Sequence, residues 1–206
     1  DGKVHRLVEK PTEPKSNLAL VGVYLFDNTI FTAVRAIKPS WRNELEITDA
    51  IQWLVENDLI VRPHIITDWW KDTGKPKDML DANRLILEML DRSIEGTVSE
   101  DSQIDGKVTI AKGAQIKNSI IRGPVIIAEG AFIEDAYIGP FTSIGRNVRV
   151  ERSEVENSIL LEDVQIIDAP SRIDESLLGK GVSIRSVKRR PSAQSFVLGD
   201  RSQIIL

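Results

Sequence analysis

Residues 104–144 read IDGKVTIAKGAQIKNSIIRGPVIIAEGAFIEDAYIGPFTSI, and the spacing of their isoleucines decides the fold. From Val98 to Ile184 branched apolar residues fall into three columns: Ile104, Ile121, Ile138, Val155 and Ile173; Ile110, Ile127, Ile144, Leu161 and Leu178; Ile116, Ile133, Val150, Ile167 and Ile184. The second and third columns advance 17 residues at every step, and one period divides into steps of 6, 6 and 5. Stacked units with hexad-like sides indicate a parallel β-helix with three faces per coil. Small or β-branched residues follow the columns at a fixed offset (Val108, Ala114, Val125, Ala131, Thr142, Val148) and suit a narrow triangular interior. An α-helix is excluded because the apolar residues do not recur at 3 and 4, and because Gly106, Gly113, Gly123, Gly130, Gly139 and Gly145 would each cost it about 1 kcal/mol. The expected fold is a left-handed parallel β-helix of about five coils whose glycines serve the corners.

Residues 1–93 have a different texture. Residues 1–8 and Ile60–Ile66 have strand character, and Leu18–Phe26 is a continuous apolar run expected as a central strand buried on both faces. Asp27-Asn28 can start a short helix through Ala36, before Pro39. Ile47, Ile51, Leu54 and Val55 have helical spacing to about Glu56. Met79, Ala82, Leu85, Ile86, Met89 and Leu90 line one face of a helix that begins at Pro76 and ends near Gly96. Strands alternating with helices indicate α/β architecture, so the boundary between an α/β domain and the coil is expected at residues 93 and 94. Beyond the period, Lys188-Arg189-Arg190 opens a basic excursion, and Leu198–Ile204 repeats the hexad as a last strand that would cover the open end.

Composition narrows the function classes. A net charge of −4 gives no reason to expect nucleic acid or an anionic membrane as partner. No apolar run approaches 18 residues. Without cysteine, disulfides and thiolate metal sites are excluded and a cytoplasmic setting is the default. The only histidines, His5 and His64, precede the coil, so a hexad-repeat acyltransferase with a histidine base on the coil lacks that base; Glu129 or Glu134 would have to replace it. Ile120, Ile126, Phe132, Tyr137 and Phe141 point outward by the pattern and could bury surface in a homo-oligomer, giving the coil an assembly or regulatory role.

Five motifs occur in order before the coil: Glu9-Lys10-Pro11, Glu13-Pro14-Lys15-Ser16-Asn17, Gly22-Val23-Tyr24, Glu44-Leu45-Glu46-Ile47-Thr48-Asp49 and Trp70-Lys71-Asp72-Thr73-Gly74. Together they resemble the sugar-nucleotidyltransferase family, specifically its glucose-1-phosphate thymidylyltransferase branch, over residues 1 to about 92; the coil resembles the C-terminal β-helix of the long type. The resemblance implies a partial Rossmann-like nucleotidyltransferase domain. It also implies in-line attack of a sugar 1-phosphate oxygen on the α-phosphate of a nucleoside triphosphate, with loss of pyrophosphate. Carried over residue by residue, it makes Lys10 the holder of the sugar phosphate and Glu9 an acceptor for sugar hydroxyls. Backbone at Leu20 and Gly22 would line the sugar pocket, Tyr24 would close it, and Asp72 would ligate Mg²⁺. Each has a plainer structural reading: a solvated turn for Glu9-Lys10, core packing for Tyr24, Trp69 and Trp70, a helix cap for Asp72. Glu44, Glu46 and Asp49 read as helix-start acids outside the site. The family's glycine-rich triphosphate loop, with its arginine and lysine, and its second metal-binding aspartate have no counterpart here and would precede Asp1. The chain is therefore expected to be the C-terminal part of a longer enzyme and to release no pyrophosphate by itself. Thymidylyl transfer is the favoured reaction, with uridylyl transfer to the same sugar phosphate as the alternative.

Overall fold

A computed structural model describes residues 3–67, 70–186 and 202–204. It divides into two compact units, residues 1–70 and 71–206.

In the second unit the chain winds through three parallel sheets. The first face carries Ser93–Ile94, Val108–Ile110, Val125–Ile127, Thr142–Ile144, Ile159–Leu160 and Leu177–Leu178. The second carries Thr97–Val98, Gln115–Lys117, Phe132–Glu134, Arg149–Glu151, Gln165–Ile167 and Ser183–Arg185. The third carries Gln103–Asp105, Ile120–Arg122, Tyr137–Ile138 and Glu154–Val155. Each strand pairs in parallel with the one a coil later, so column residues stack directly: Ile104 on Ile121, Ile121 on Ile138, Ile138 on Val155 and Val155 on Ile173. The interior is continuous, with Ile110, Ile116, Ile121, Ile127, Ile133, Ile138 and Ile144 all but sealed from solvent. All six small or β-branched interior positions expected from the offset are buried beside them.

The fourth coil departs from the fixed period. Ile144 pairs with Leu160 and Val150 with Ile166, so Leu160 and Ile166, not Leu161 and Ile167, are the column residues. Leu160 is 1% exposed, whereas Leu161 is 46% exposed. The corner from Val155 to Leu160 takes five residues where Ile121 to Ile127 took six. The corner from Ile166 to Ile173 takes seven where Ile133 to Ile138 took five, and Leu178 and Ile184 return to their places. The extra residue is given back at the next corner, from Ile173 to Leu178, which takes five where Ile121 to Ile127 took six, so Leu178 and Ile184 keep the count while Leu160 and Ile166 shift.

The glycines expected at corners share that work with other residues. Gly106, Gly113 and Gly130 do have positive φ. Gly123 serves by close approach, since a Cβ there would collide with the carbonyl of Lys107. Other turns put non-glycine residues at positive φ, among them Asn118, Asp135, Arg152, Asn157 and Glu175, and in the first, second and fourth of these a short polar side chain eases that conformation. A small residue follows each of them, and at Ser119, Ser153 and Ser158 it is a buried serine. Ser153 Oγ donates to the Glu151 carbonyl at 2.7 Å and accepts from the Ala169 amide at 3.0 Å, supplying bonds the turning backbone cannot make to itself. Ser119 and Ser158 repeat this arrangement. Ser153→Ala should cost about 1–2 kcal/mol in urea unfolding, because the Ala169 amide loses its acceptor inside the coil.

Helix α3, Pro76–Met89, packs on the first face. Asn83 Nδ2 donates to the Phe141 carbonyl at 2.9 Å, Ser143 Oγ donates to Asn83 Oδ1 at 2.5 Å, and Leu87 is buried. The outward aromatic residues are not bare. Arg84 lies over Phe141, Lys117 and Arg149 over Phe132, and Arg172 over Tyr137, so cations cap three of the five side chains expected as apolar surface.

In the first unit, α1 (Ile30–Ala36) and α2 (Ile47–Glu56) form within a residue or two of their sequence limits. They pack through Ile30, Ala33, Ala50 and Leu54, with Ile37, Trp53 and Val61 against them. The three expected strands do not form: among the described residues, 3–8, 18–26 and 60–66 carry no ladder. Leu25 is 97% exposed and Val23 73%, so Leu18–Phe26 is not a strand buried on both faces here. A doubly buried strand requires a paired neighbour on each side, and the described residues supply none. Trp69, the Lys188–Arg190 run and residues 198–201 of the expected last strand lie outside the described residues; residues 202–204 carry no strand.

Candidate functional site

The Glu9-Lys10 segment is held by α2 and the turn before it. Thr48, in the first turn of α2 and 3% exposed, donates from Oγ1 to Glu9 Oε2 at 2.6 Å. Gln52, one helical turn further on, accepts the Leu7 amide on Oε1 at 2.7 Å. Arg42 Nη1 lies 3.8 Å from Glu9 Oε1 and 3.3 Å from Glu46 Oε1, and its Nη2 is 3.0 Å from Glu44 Oε2. Glu46 occupies the cap position of α2, is 8% exposed, and also accepts from Ser40 Oγ at 2.9 Å. Its carboxylate is thus the buried member of a partly exposed polar network that includes Glu9, not merely an acid facing a helix dipole. Three carboxylates share one guanidinium, whose planar fork can meet several oxygens at once.

Lys10 is placed differently. It is exposed, it has φ +40, and among the described residues its ammonium has no ion-pair or hydrogen-bond partner. A non-glycine residue at positive φ is uncommon and costs energy unless its surroundings impose it. Its neighbour Glu9 is held by Thr48, and among the described residues the Lys10 ammonium is presented to solvent without a counter-charge.

Of the other expected pocket residues, Leu20 is 44% exposed and Gly22 has φ +78, a backbone conformation that suits glycine. Tyr24 is half-buried and stacks on Phe26, two residues along an extended chain, with ring centroids 5.7 Å apart. Trp70 Nε1 donates to the Val21 carbonyl at 3.3 Å, tying down the middle of this segment. Among the described residues no hydrogen bond or ion pair joins Glu9 or Lys10 to Leu20, Gly22 or Tyr24.

Asp72 belongs to the second unit, next to Lys71. Lys71 Nζ bonds Asp81 at 2.9 Å and Asp78 at 3.4 Å, tying the loop to the start of α3. The hydrogen bond from Lys71 holds the Asp81 carboxyl below its ordinary range and, reciprocally, raises the lysine. The helix cap is Lys75, whose amide donates to Asp78 Oδ2 at 3.0 Å, so the cap reading of Asp72 fails. Asp72 is exposed and, among the described residues, its carboxylate has no partner.

Sequence patterns could not find Thr48 and Gln52, because their contacts cross 39 and 45 residues of chain. The i, i+4 spacing of Arg42 and Glu46 was the available signal for the network.

A three-sided parallel β-helix follows residues of which Lys10 and Asp72 are exposed and, among the described residues, without a partner, while Glu9 is held in place. Residues 1–89 match the model of the nucleotidyl transferase family. Nucleotidyl transferases of this kind generally use a divalent metal. The chain is 50% identical over 204 residues to a glucose-1-phosphate thymidylyltransferase of Streptomyces antibioticus, covering 99% of this chain and 57% of that protein. It is 48% identical over 202 residues to a glucose-1-phosphate thymidylyltransferase of Streptomyces griseus, covering 98% and 57%. It is 46% identical over 208 residues to a low-salt glycan biosynthesis nucleotidyltransferase of Haloferax volcanii, covering 100% and 58%. The chain thus spans a little over half the length of these relatives. No described helix is long and apolar enough to cross a membrane.

Proposed function

We propose that this chain is part of a nucleotidyltransferase that joins glucose 1-phosphate and dTTP to give dTDP-glucose and pyrophosphate. The observation that carries the reading is identity of 48–50% to two proteins of that name, continuous over 98–99% of the chain and therefore across both units. Residues 1–93 are the nucleotidyltransferase portion and 94–206 the β-helical domain, a boundary supported by the end of the family match at residue 89 and the first coil strand at Ser93–Ile94.

The sugar phosphate oxygen attacks the α-phosphorus, and the bond from that phosphorus to the bridging oxygen of the β-phosphate breaks. Little proton transfer is needed, so catalysis is positioning and charge neutralisation. Lys10 holds the sugar phosphate with its free ammonium. Glu9, with one oxygen satisfied by Thr48, accepts from sugar hydroxyls with what remains. Leu20 and Gly22 offer backbone to the sugar, and Tyr24 covers it.

Asp72 ligates Mg²⁺. Among the described residues no group of three or more His, Asp or Glu side chains could hold a metal, but Mg²⁺ is commonly held by one or two carboxylates with water and phosphate oxygens completing the octahedron, so a free carboxylate fits. When bound, the ion neutralises charge on the phosphates. A cytoplasmic homo-oligomer with no nucleic-acid or membrane partner accords with the charge and composition. For the full-length protein, pyrophosphate release should require added Mg²⁺, and Asp72→Asn should raise the Mg²⁺ needed for half-maximal rate about tenfold or more. Metal-independent release would refute the role of Asp72.

A further inference from the structure

We propose that Thr48 and Gln52 form a clamp on α2 that sets the position of Lys10, making both of them positioning residues for the sugar-phosphate site. The inference rests on the role given to Lys10 above and adds the helix face that controls it. Thr48 and Gln52 are four residues apart and so share one face of α2. That face grips the neighbouring segment twice: Gln52 Oε1 accepts from the Leu7 amide at 2.7 Å, and Thr48 Oγ1 donates a hydrogen bond to Glu9 Oε2 at 2.6 Å. The Gln52 amide is itself oriented, because its Nε2 donates to Glu56 Oε1 at 2.9 Å. The helix cannot slide, since Ala50, Ile51 and Leu54 are buried.

Two fixed points two residues apart leave an extended chain little freedom, and the next residue, Lys10, is the one at φ +40. The unfavourable backbone of Lys10 is thus stabilised by bonds made elsewhere, which is how strained positions persist at sites. Glu9 is fixed by the same bond, so the hydroxyl acceptor and the phosphate-holding cation are placed by one helix. Neither Thr48 nor Gln52 need touch the substrate for this to hold.

The test is steady-state kinetics of the full-length protein with glucose 1-phosphate and dTTP, comparing Thr48→Val, Thr48→Ser, Gln52→Ala and Lys10→Gly. Thr48→Val keeps the shape and removes the donor; it should raise KM for glucose 1-phosphate about tenfold while leaving KM for dTTP within about twofold. Thr48→Ser, which keeps the hydroxyl, should restore the parent value, and Gln52→Ala should move the same KM in the same direction. A loss spread equally over both substrates would show a merely structural residue and overturn the clamp. Should Lys10→Gly raise the sugar-phosphate KM while Thr48→Val and Gln52→Ala leave it alone, the clamp is wrong and the role of Lys10 stands. Should Lys10→Gly leave that KM unchanged, the role of Lys10 falls and the clamp falls with it. A Thr48→Val protein that melts below the assay temperature leaves the decision to Gln52→Ala, whose unchanged sugar-phosphate KM would equally overturn the proposal.

Discussion

Lys10→Gly should leave the protein folded and lower kcat/KM for glucose 1-phosphate roughly 30- to 160-fold, the equivalent of about 2–3 kcal/mol for a lost hydrogen bond to a charged group. Glycine is the informative replacement because Lys10 sits at φ +40, where glycine carries no Cβ penalty. Loss of activity therefore cannot be ascribed to a strained or unfolded backbone, and the melting temperature should hold or rise slightly. The ammonium pairs with nothing else among the described residues, so its removal breaks no internal contact there. Isothermal calorimetry with glucose 1-phosphate would check the same point without turnover: weakened binding is expected, and binding equal to the parent's would remove Lys10 from the site.

The second large effect concerns the register of the coil. Leu160→Ala should destabilise the protein by about 2–5 kcal/mol, whereas Leu161→Ala should cost less than about 1 kcal/mol. Leu160 is sealed in the column between Ile144 and Leu178, while Leu161 faces out from the rung. Neighbouring coils support each other, so a void in the fourth coil loosens both the third and the fifth. Chemical denaturation of the two variants side by side reads the difference directly. Equal losses would mean that the 17-residue period, not the shifted rung, describes the fourth coil.

That pair of leucines also shows where sequence reading reached its limit. The column Ile104, Ile121, Ile138, Val155, Ile173 was legible because Ile104, Val155 and Ile173 each stand alone between polar neighbours, and at Ile120-Ile121 and Tyr137-Ile138 the 17-residue count picks the member that the structure also stacks. At Leu160-Leu161 and Ile166-Ile167 two branched residues are adjacent, and periodicity alone picks the member that keeps the count. The structure picks the other, because the Asn157 corner takes one residue fewer. Helices were legible from apolar spacing and fell within two residues of their limits, apart from the early end of α3 at Met89. The strands of residues 1–67 were not, because an apolar run reports a preference for burial, and burial depends on partners that the run does not contain.

The candidate site divides along the same line. Motif resemblance singled out Lys10, Glu9 and Asp72, and the structure finds the first and third exposed and unpartnered among the described residues, with the second fixed in place. Nothing local announced that Glu9 would be shared among Thr48, Arg42 and, through Arg42, Glu44 and Glu46. Reading Glu46 as a helix-start acid was locally sound, since it does occupy the cap of α2. Its burial beside Ser40 and Arg42 comes from a turn stabilised by the Ser40 amide on the Glu44 carbonyl and by Asn43 at φ +61.

The most direct measurement is the initial rate at which the full-length protein converts glucose 1-phosphate with dTTP and, separately, with UTP, following sugar nucleotide and pyrophosphate together. The account predicts one dTDP-glucose for each pyrophosphate and a higher kcat/KM for dTTP than for UTP. A preference for UTP would shift the assignment to uridylyl transfer, and absence of pyrophosphate with either nucleotide would contradict it altogether.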